Sequence, residues 1–191
     1  VRLGVKKSIM IVDMPYNTYR NPKEALKNVK LVMKKTKCDG VKLEGGKKII
    51  PVIKNLTKNK IPVMGHVGIL PQTDKKFSFK GKKQKEINRI LNDTKLLENA
   101  GAFSIVLECV ETKLSKQITK NIGIPTIGIG SSSNCDGQVL VIDDLIGMSD
   151  SKFKFVKQYV DLSRIINSAV KKYKNEVKNK QFPRAKHSFA N

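Results

Sequence analysis

The stretch DGVKLEGGKKIIPVIKNLTKNKIPVMGH, residues 39–66, decides the fold. Two short apolar runs, residues 39–44 and 61–66, flank a segment whose Ile49, Ile53 and Leu56 recur at helical spacing. Strand, helix, strand in that order makes two parallel neighbours, because the helix returns the chain to the end of the sheet where it began. The strand runs are rich in Val and Ile without clean alternation, which suits strands buried on both faces.

The same unit repeats outward in both directions. Further strands are expected at residues 8–13, 103–108, 126–130 and 138–142. Asn21-Pro22-Lys23-Glu24 opens a helix, with Asn21 as N-cap, Pro22 at the first position and Glu24 reaching back as a capping box. Leu26, Val29 and Met33 continue it. Ile87, Ile90, Leu91 and Leu97 mark the next helix, stopped near Gly101, and Leu114, Ile118 and Ile122 mark another. Phe155, Tyr159, Ile165, Ile166, Ala169, Tyr173 and Val177 read as two helices in series. Alternation on this scale implies an α/β protein with a parallel sheet, either doubly wound and open or part of a barrel. Gly128-Ile129-Gly130 lacks the third glycine of a dinucleotide-binding fingerprint, which weighs against the nucleotide-binding version of the open sheet.

Composition narrows the class. The chain has 191 residues, 39% of them hydrophobic, enough for one domain with a core of its own. No apolar run approaches the roughly 20 residues of a membrane helix, and no leader pattern is visible, so a soluble, cytoplasmic protein is expected. The first residue is Val1, which suggests processing or truncation ahead of it. Cys38, Cys109 and Cys135 are odd in number, far apart and without CxxC spacing, which argues against a disulfide framework or zinc site. The net charge of +22 points at first to nucleic acid. Lysine dominates it, however, with arginine only at Arg2, Arg20, Arg89, Arg164 and Arg184, and the lysines are spread along the chain. Aromatics for stacking on bases are few, so the charge is read as solvated helix faces, and neither a nucleic-acid nor a membrane partner is expected.

Polar residues recur where the strands end: Asp13, Lys42 with Glu44, His66 and Glu108. In parallel α/β folds the carboxyl edge of the sheet carries the active site. Asp13 and Glu44 are oxygen donors of the kind a hard divalent cation takes, and such a cation acidifies the C–H beside an α-keto acid. Lys42 and Glu44 alternate on one strand and so point to one side. The Lys42 ammonium suits a substrate carboxylate, Glu108 suits a proton acceptor, and His66 suits orientation of substrate or proton movement.

With these residues in place the chain resembles the ketopantoate hydroxymethyltransferases. Val12-Asp13-Met14-Pro15-Tyr16, Val41-Lys42-Leu43-Glu44-Gly45-Gly46, Gly65-His66-Val67-Gly68-Ile69-Leu70-Pro71-Gln72, Val106-Leu107-Glu108-Cys109-Val110 and Ile127-Gly128-Ile129-Gly130 follow in that family's order and spacing, as do Asp136-Gly137-Gln138 and His187-Ser188-Phe189. The resemblance implies a TIM (β/α)8 barrel, of which six β/α units are present here. It implies transfer of a hydroxymethyl group from 5,10-methylenetetrahydrofolate to 3-methyl-2-oxobutanoate, giving 2-dehydropantoate on the way to pantothenate and coenzyme A. By position it makes Asp13 a ligand of Mg2+ that also contacts substrate, and Glu44 a metal-site carboxylate acting through water. Lys42 and His66 become substrate-binding residues and Glu108 the catalytic proton acceptor.

The family begins with two further β/α units, whose second strand supplies another Asp ligand and a Ser. The chain is therefore expected to be a single barrel domain over residues 1–191 that lacks its first two units, with residues 151–191 as the helical C-terminal segment of the same domain. The resemblance also implies a ring-like homo-oligomer, a decamer. Lys75, Lys76, Lys80 and Lys82 are candidates for the carboxylate tails of folate, in a loop that departs from the family's glycine-rich pattern and leaves lid behaviour open. The rival readings are another magnesium-dependent barrel lyase for α-keto acids, an inactive truncated homologue and, on charge alone, a nucleic-acid-binding protein.

Overall fold

Residues 1–75 and 77–189 are described in the computed structural model. They fall in two compact units, Val1–Val139 and Leu140–Asn191. The first is built on strands β1 (Ile11–Asp13), β2 (Gly40–Glu44), β3 (Val63–Gly68), β4 (Ser104–Glu108), β5 (Thr126–Ile129) and β6 (Gly137–Gln138). They form one sheet in the order β1-β2-β3-β4-β5-β6, and every neighbouring pair is parallel. A doubly wound sheet reverses its strand order at a switch point. Here each strand lies beside the one before it, the winding of a (β/α)8 barrel, six of whose strands the chain supplies.

Helices α1 (Pro22–Thr36), α2 (Ile50–Lys58), α3 (Gln84–Asn99) and α4 (Thr112–Asn121) make the first four crossings. A 3-10 turn, Lys47–Ile49, leads into α2. Their apolar stripes meet the sheet: Val29, Ile53, Leu56, Leu97 and Ile118 are fully buried with Val41, Leu43, Val63, Ile105 and Leu107. Each such side chain stabilises the fold by roughly 1.5–3 kcal/mol relative to exposure. Gly65 lets α3 close on the sheet, since a Cβ there would stand 3.1 Å from Leu97 Cδ1. The free energy of that packing is what makes the opposite face of the strands available for polar side chains.

Local signals act at the start of α1 and the end of α3. Asn21 Oδ1 accepts from Glu24 N at 2.9 Å, with Pro22 at the first turn of α1. The capping box is only half made: the Glu24 carboxylate takes Arg20 and the Asn21 side-chain amide in place of the Asn21 backbone N–H. Gly101, with φ of +90°, follows the end of α3.

Two expectations are corrected at the C-terminal side. The run 138–142 is not a five-residue strand: β6 ends at Gln138, and Ile142 begins the short helix α5 (Ile142–Leu145). Among the described residues only β5 pairs with β6, so no neighbour there prolongs it, and Val139, Val141 and Ile142 are exposed. In the second unit one helix, α6 (Leu162–Lys178), replaces the two expected in series. Asp161 caps it, accepting from Arg164 N at 2.9 Å, while Tyr159 is held ahead of it by its N–H on Leu145 O. The apolar residues Ile165, Ile166, Val170, Tyr173 and Val177 of α6 are exposed. Phe182 packs against Tyr173 and His187, ring centres 5.5 and 5.1 Å apart. No helix among the described residues is long and apolar enough to cross a membrane.

Candidate active site

Four consecutive strands deliver their last polar residues to one place. Asp13 closes β1, Glu44 closes β2, His66 sits two residues before the end of β3, and Glu108 closes β4. The register sets them level: Asp13 lies opposite Lys42, Glu44 opposite His66, and Gly68 opposite Glu108. Because side chains alternate, Lys42, Glu44 and His66 share the face turned away from Leu43 and its helical packing.

The side chains form a chain of contacts. Lys42 Nζ is 2.9 Å from Asp13 Oδ1 and 3.0 Å from His66 Nδ1. An ammonium can only donate, so His66 Nδ1 is the acceptor and the ring proton is assigned to Nε2. Nε2 lies 3.2 Å from Glu108 Oε2, close enough for attraction but too bent for a hydrogen bond, and it has no other partner. His66 is 1% exposed, so this N–H is a buried donor left unsatisfied, the kind of group that awaits a ligand atom. Glu44 Oε1 stands 3.8 Å from His66 Nδ1.

Glu44 is the most enclosed of the carboxylates. Burial pushes its pKa above the usual carboxylate value, against the pull of the Gln72 backbone N–H, His66 and Lys42. Gln72 N donates to Glu44 Oε2 at 3.1 Å. The side chain of Gln72 reaches the other way: its Nε2 donates to Met14 O at 2.9 Å, and its Oε1 accepts from the Tyr19 hydroxyl at 2.9 Å. Burial also raises the pKa of Tyr19. Thus the loops after β1 and β3 are tied together over the end of β2. Gln72 lies inside a quoted motif and Tyr19 just beyond one, but neither carries a sequence signal of this role, because it depends on two loops meeting.

On the other flank, Cys109 follows Glu108 in the left-handed region, with φ of +50°. Its thiol is buried, and burial, with the Glu108 charge beside it, pushes its pKa up to about 11. Cys38, Cys109 and Cys135 are all buried and free.

Among the described residues no cluster of three His, Cys, Asp or Glu side chains is arranged to hold a metal. Asp13, about half exposed, and the buried Glu44 are hard oxygen donors at adjacent strand ends. Their chemistry is of the kind magnesium takes, which commonly uses one or two carboxylates and fills the rest with water and substrate. Of the candidate lysines for anionic tails, Lys80 is engaged by Asp74 at 2.9 Å and Lys82 lies 4.2 Å over the Phe79 ring; Lys76 is outside the described residues.

Residues 1–185 match the family model described as ketopantoate hydroxymethyltransferase. The chain is 61% identical over 189 residues to a 3-methyl-2-oxobutanoate hydroxymethyltransferase of Pelagibacter ubique, covering 99% of this chain and 74% of that protein. It is 44% identical over 194 residues to the protein of the same name from Chlorobium phaeobacteroides, covering 99% and 70%. Among solved structures, a dihydrodipicolinate synthase from Agrobacterium tumefaciens shows a loose likeness, with a TM-score of 0.45 and 13% identity over 73% of this chain and 50% of that one. The family match over nearly the whole chain is decisive: the chain belongs to the ketopantoate hydroxymethyltransferase family.

Proposed function

We propose that the protein transfers a hydroxymethyl group from 5,10-methylenetetrahydrofolate to 3-methyl-2-oxobutanoate, giving 2-dehydropantoate and tetrahydrofolate. The observation that carries this reading is the Asp13–Lys42–His66–Glu108 contact chain at the carboxyl edge of the sheet. Asp13 and Glu44, the latter through water, would hold Mg2+ together with the keto acid. A bound magnesium ion supplies the Lewis acidity that makes the C–H beside the ketone removable at neutral pH.

The remaining steps belong to the protein's own groups. Lys42 binds the keto acid, its positive charge held in place by Asp13 and His66. His66 lines the pocket and turns its Nε2–H towards the reacting end. Glu108 takes the proton from the carbon next to the ketone. The carbon so deprotonated forms its new bond to the donor's methylene carbon, both methylene–nitrogen bonds break, water supplies the hydroxyl, and the two folate nitrogens take up one proton from that water and the one held by Glu108. The reading also carries a cytoplasmic protein of one barrel domain, with residues 151–191 as its helical segment. It carries a homo-oligomer of the ring-like, decameric kind as well; the exposed apolar residues of α6 support assembly with further copies.

The test is a transfer assay on wild type and Glu108→Gln. The wild type should make product only when both the folate and magnesium are present. The variant should retain its fold and lose about 100-fold or more in kcat, the scale of general-base removal. Product formed without folate would move the protein to another keto-acid lyase. A folded wild type that makes none would mark it as an inactive homologue.

A further inference from the structure

The backbone that carries Glu108 is held from three sides: from β3, from β5, where Cys109 N donates to Ile129 O at 2.8 Å, and from the loop after β5. Glu108 O accepts from Ile69 N at 2.9 Å, the last regular link to the β3 side. Cys109 then turns into left-handed backbone, a conformation that strains a residue with a Cβ. The chain must therefore be secured on both sides of that turn. One atom does so: Ser131 Oγ, in the loop after β5, donates to Leu107 O at 2.6 Å and accepts from Val110 N at 3.0 Å. These are the backbone groups just before and just after the Glu108-Cys109 pair. Neither Ser131 contact involves the Glu108 carboxylate, which faces His66.

We infer that Ser131 is a positioning residue: its hydroxyl clasps the turn from Leu107 to Val110 and so sets the direction in which the Glu108 carboxylate leaves the sheet. This rests on Glu108 being the proton acceptor. A residue before Ser131, Gly130 is in the left-handed region at φ of +62°, which brings the loop back over β4. Alanine at position 131 leaves Leu107 O and Val110 N without their shared partner, so the strained Cys109 is then held by its own backbone bonds, Cys109 N to Ile129 O and Lys80 N to Cys109 O, both at 2.8 Å. Displacing a reacting group by about 1 Å can cost on the order of 100-fold in rate.

The test uses Ser131→Ala, Ser131→Thr and Ser131→Cys, each also in a Glu108→Gln background. Two activities are read: hydroxymethyl transfer, and exchange of the C3 proton of 3-methyl-2-oxobutanoate for deuterium in heavy water with magnesium and no folate. Ser131→Ala should lower kcat and the exchange rate about tenfold with KM for the keto acid within twofold, and Ser131→Thr, which keeps the hydroxyl, should recover most of the loss. In the Glu108→Gln background Ser131→Ala should change nothing further, because both act on one step. Thermal melting checks that the variants are folded. If Ser131→Ala does not fold, Cys against Thr decides, since cysteine matches serine in shape but is a poor hydrogen-bond partner. Equal rates in wild type and Ser131→Ala, or in Thr and Cys, would overturn the inference, as would a full tenfold loss on top of Glu108→Gln. A wild type that neither exchanges nor transfers would instead overturn the functional reading.

Discussion

Gly68 lies opposite Glu108 with φ of +103°, and a Cβ there would come within 2.1 Å of Glu108 O and 2.7 Å of Val110 Cγ2. The nearest obstacle is backbone, so it cannot swing aside as a flexible side chain would. Gly68→Ala should destabilise the protein by about 2–3 kcal/mol through strain and overlap. It should also lower activity beyond what the folded fraction explains, because the carbonyl that must shift belongs to Glu108, the proposed proton acceptor. Urea unfolding beside specific activity separates the two losses. At this scale the sequence was readable wherever a rule of alternation applied: Lys42 and Glu44 do share a face, and each strand-end charge does reach the common edge. It was silent for Tyr19, Gln72 and Ser131. Their partners are 53, 58 and 24 residues away along the chain, in contacts made only when separate loops fold over the same strand end.

The β5–β6 connection is the element that departs most from the repeating pattern. A parallel crossing usually needs a dozen or more residues and a helix, yet here the loop 130–136 makes it. Asp136 closes the loop, accepting from Thr126 N at 2.8 Å and from Thr126 Oγ1 at 2.9 Å. Those two hydrogen bonds hold the Asp136 pKa below its ordinary 3.8. A depressed folded pKa means that the ionised form stabilises the fold above pH 3.8, and that this contribution is lost as pH falls through the lower, folded value. Asp136→Asn should therefore melt roughly 2–4 °C below wild type at neutral pH, and the gap should close in acid. A gap that persists unchanged at pH 2.5, roughly, would show that the loop is held by something other than this charge. The ends of the elements were less legible than their existence. Val139-Leu140-Val141-Ile142 has strand composition, but β-propensity becomes a strand only where a neighbour offers a ladder. Helices α1 to α4 carry their own periodicity, and α1 its Asn21 cap, which makes them legible without any tertiary contact.

The molecule as a whole combines a strong positive charge with apolar surface that the described residues leave uncovered. The charge of +22 repels like copies, while exposed Ile165, Ile166, Val170, Tyr173 and Val177 on α6 favour association. Salt screens the repulsion over a distance of about 10 Å at 0.1 M and about 3 Å at 1 M, and leaves hydrophobic contact intact. Sedimentation across that range should show association rising with salt; dissociation by salt would place ion pairs, and not the apolar stripe of α6, at the contact.

The order of the sheet has a consequence during synthesis. Strands β1 to β6 pair in the order in which the ribosome makes them, so each emerging strand finds its partner already present. Among these six described strands none waits for a distant segment, so the entropy of closing long loops is spread over successive steps. The charged pocket is assembled in the same vectorial way. Asp13 meets Lys42, Lys42 meets His66 and His66 meets Glu108 as translation proceeds, with the clasp from Ser131 arriving last.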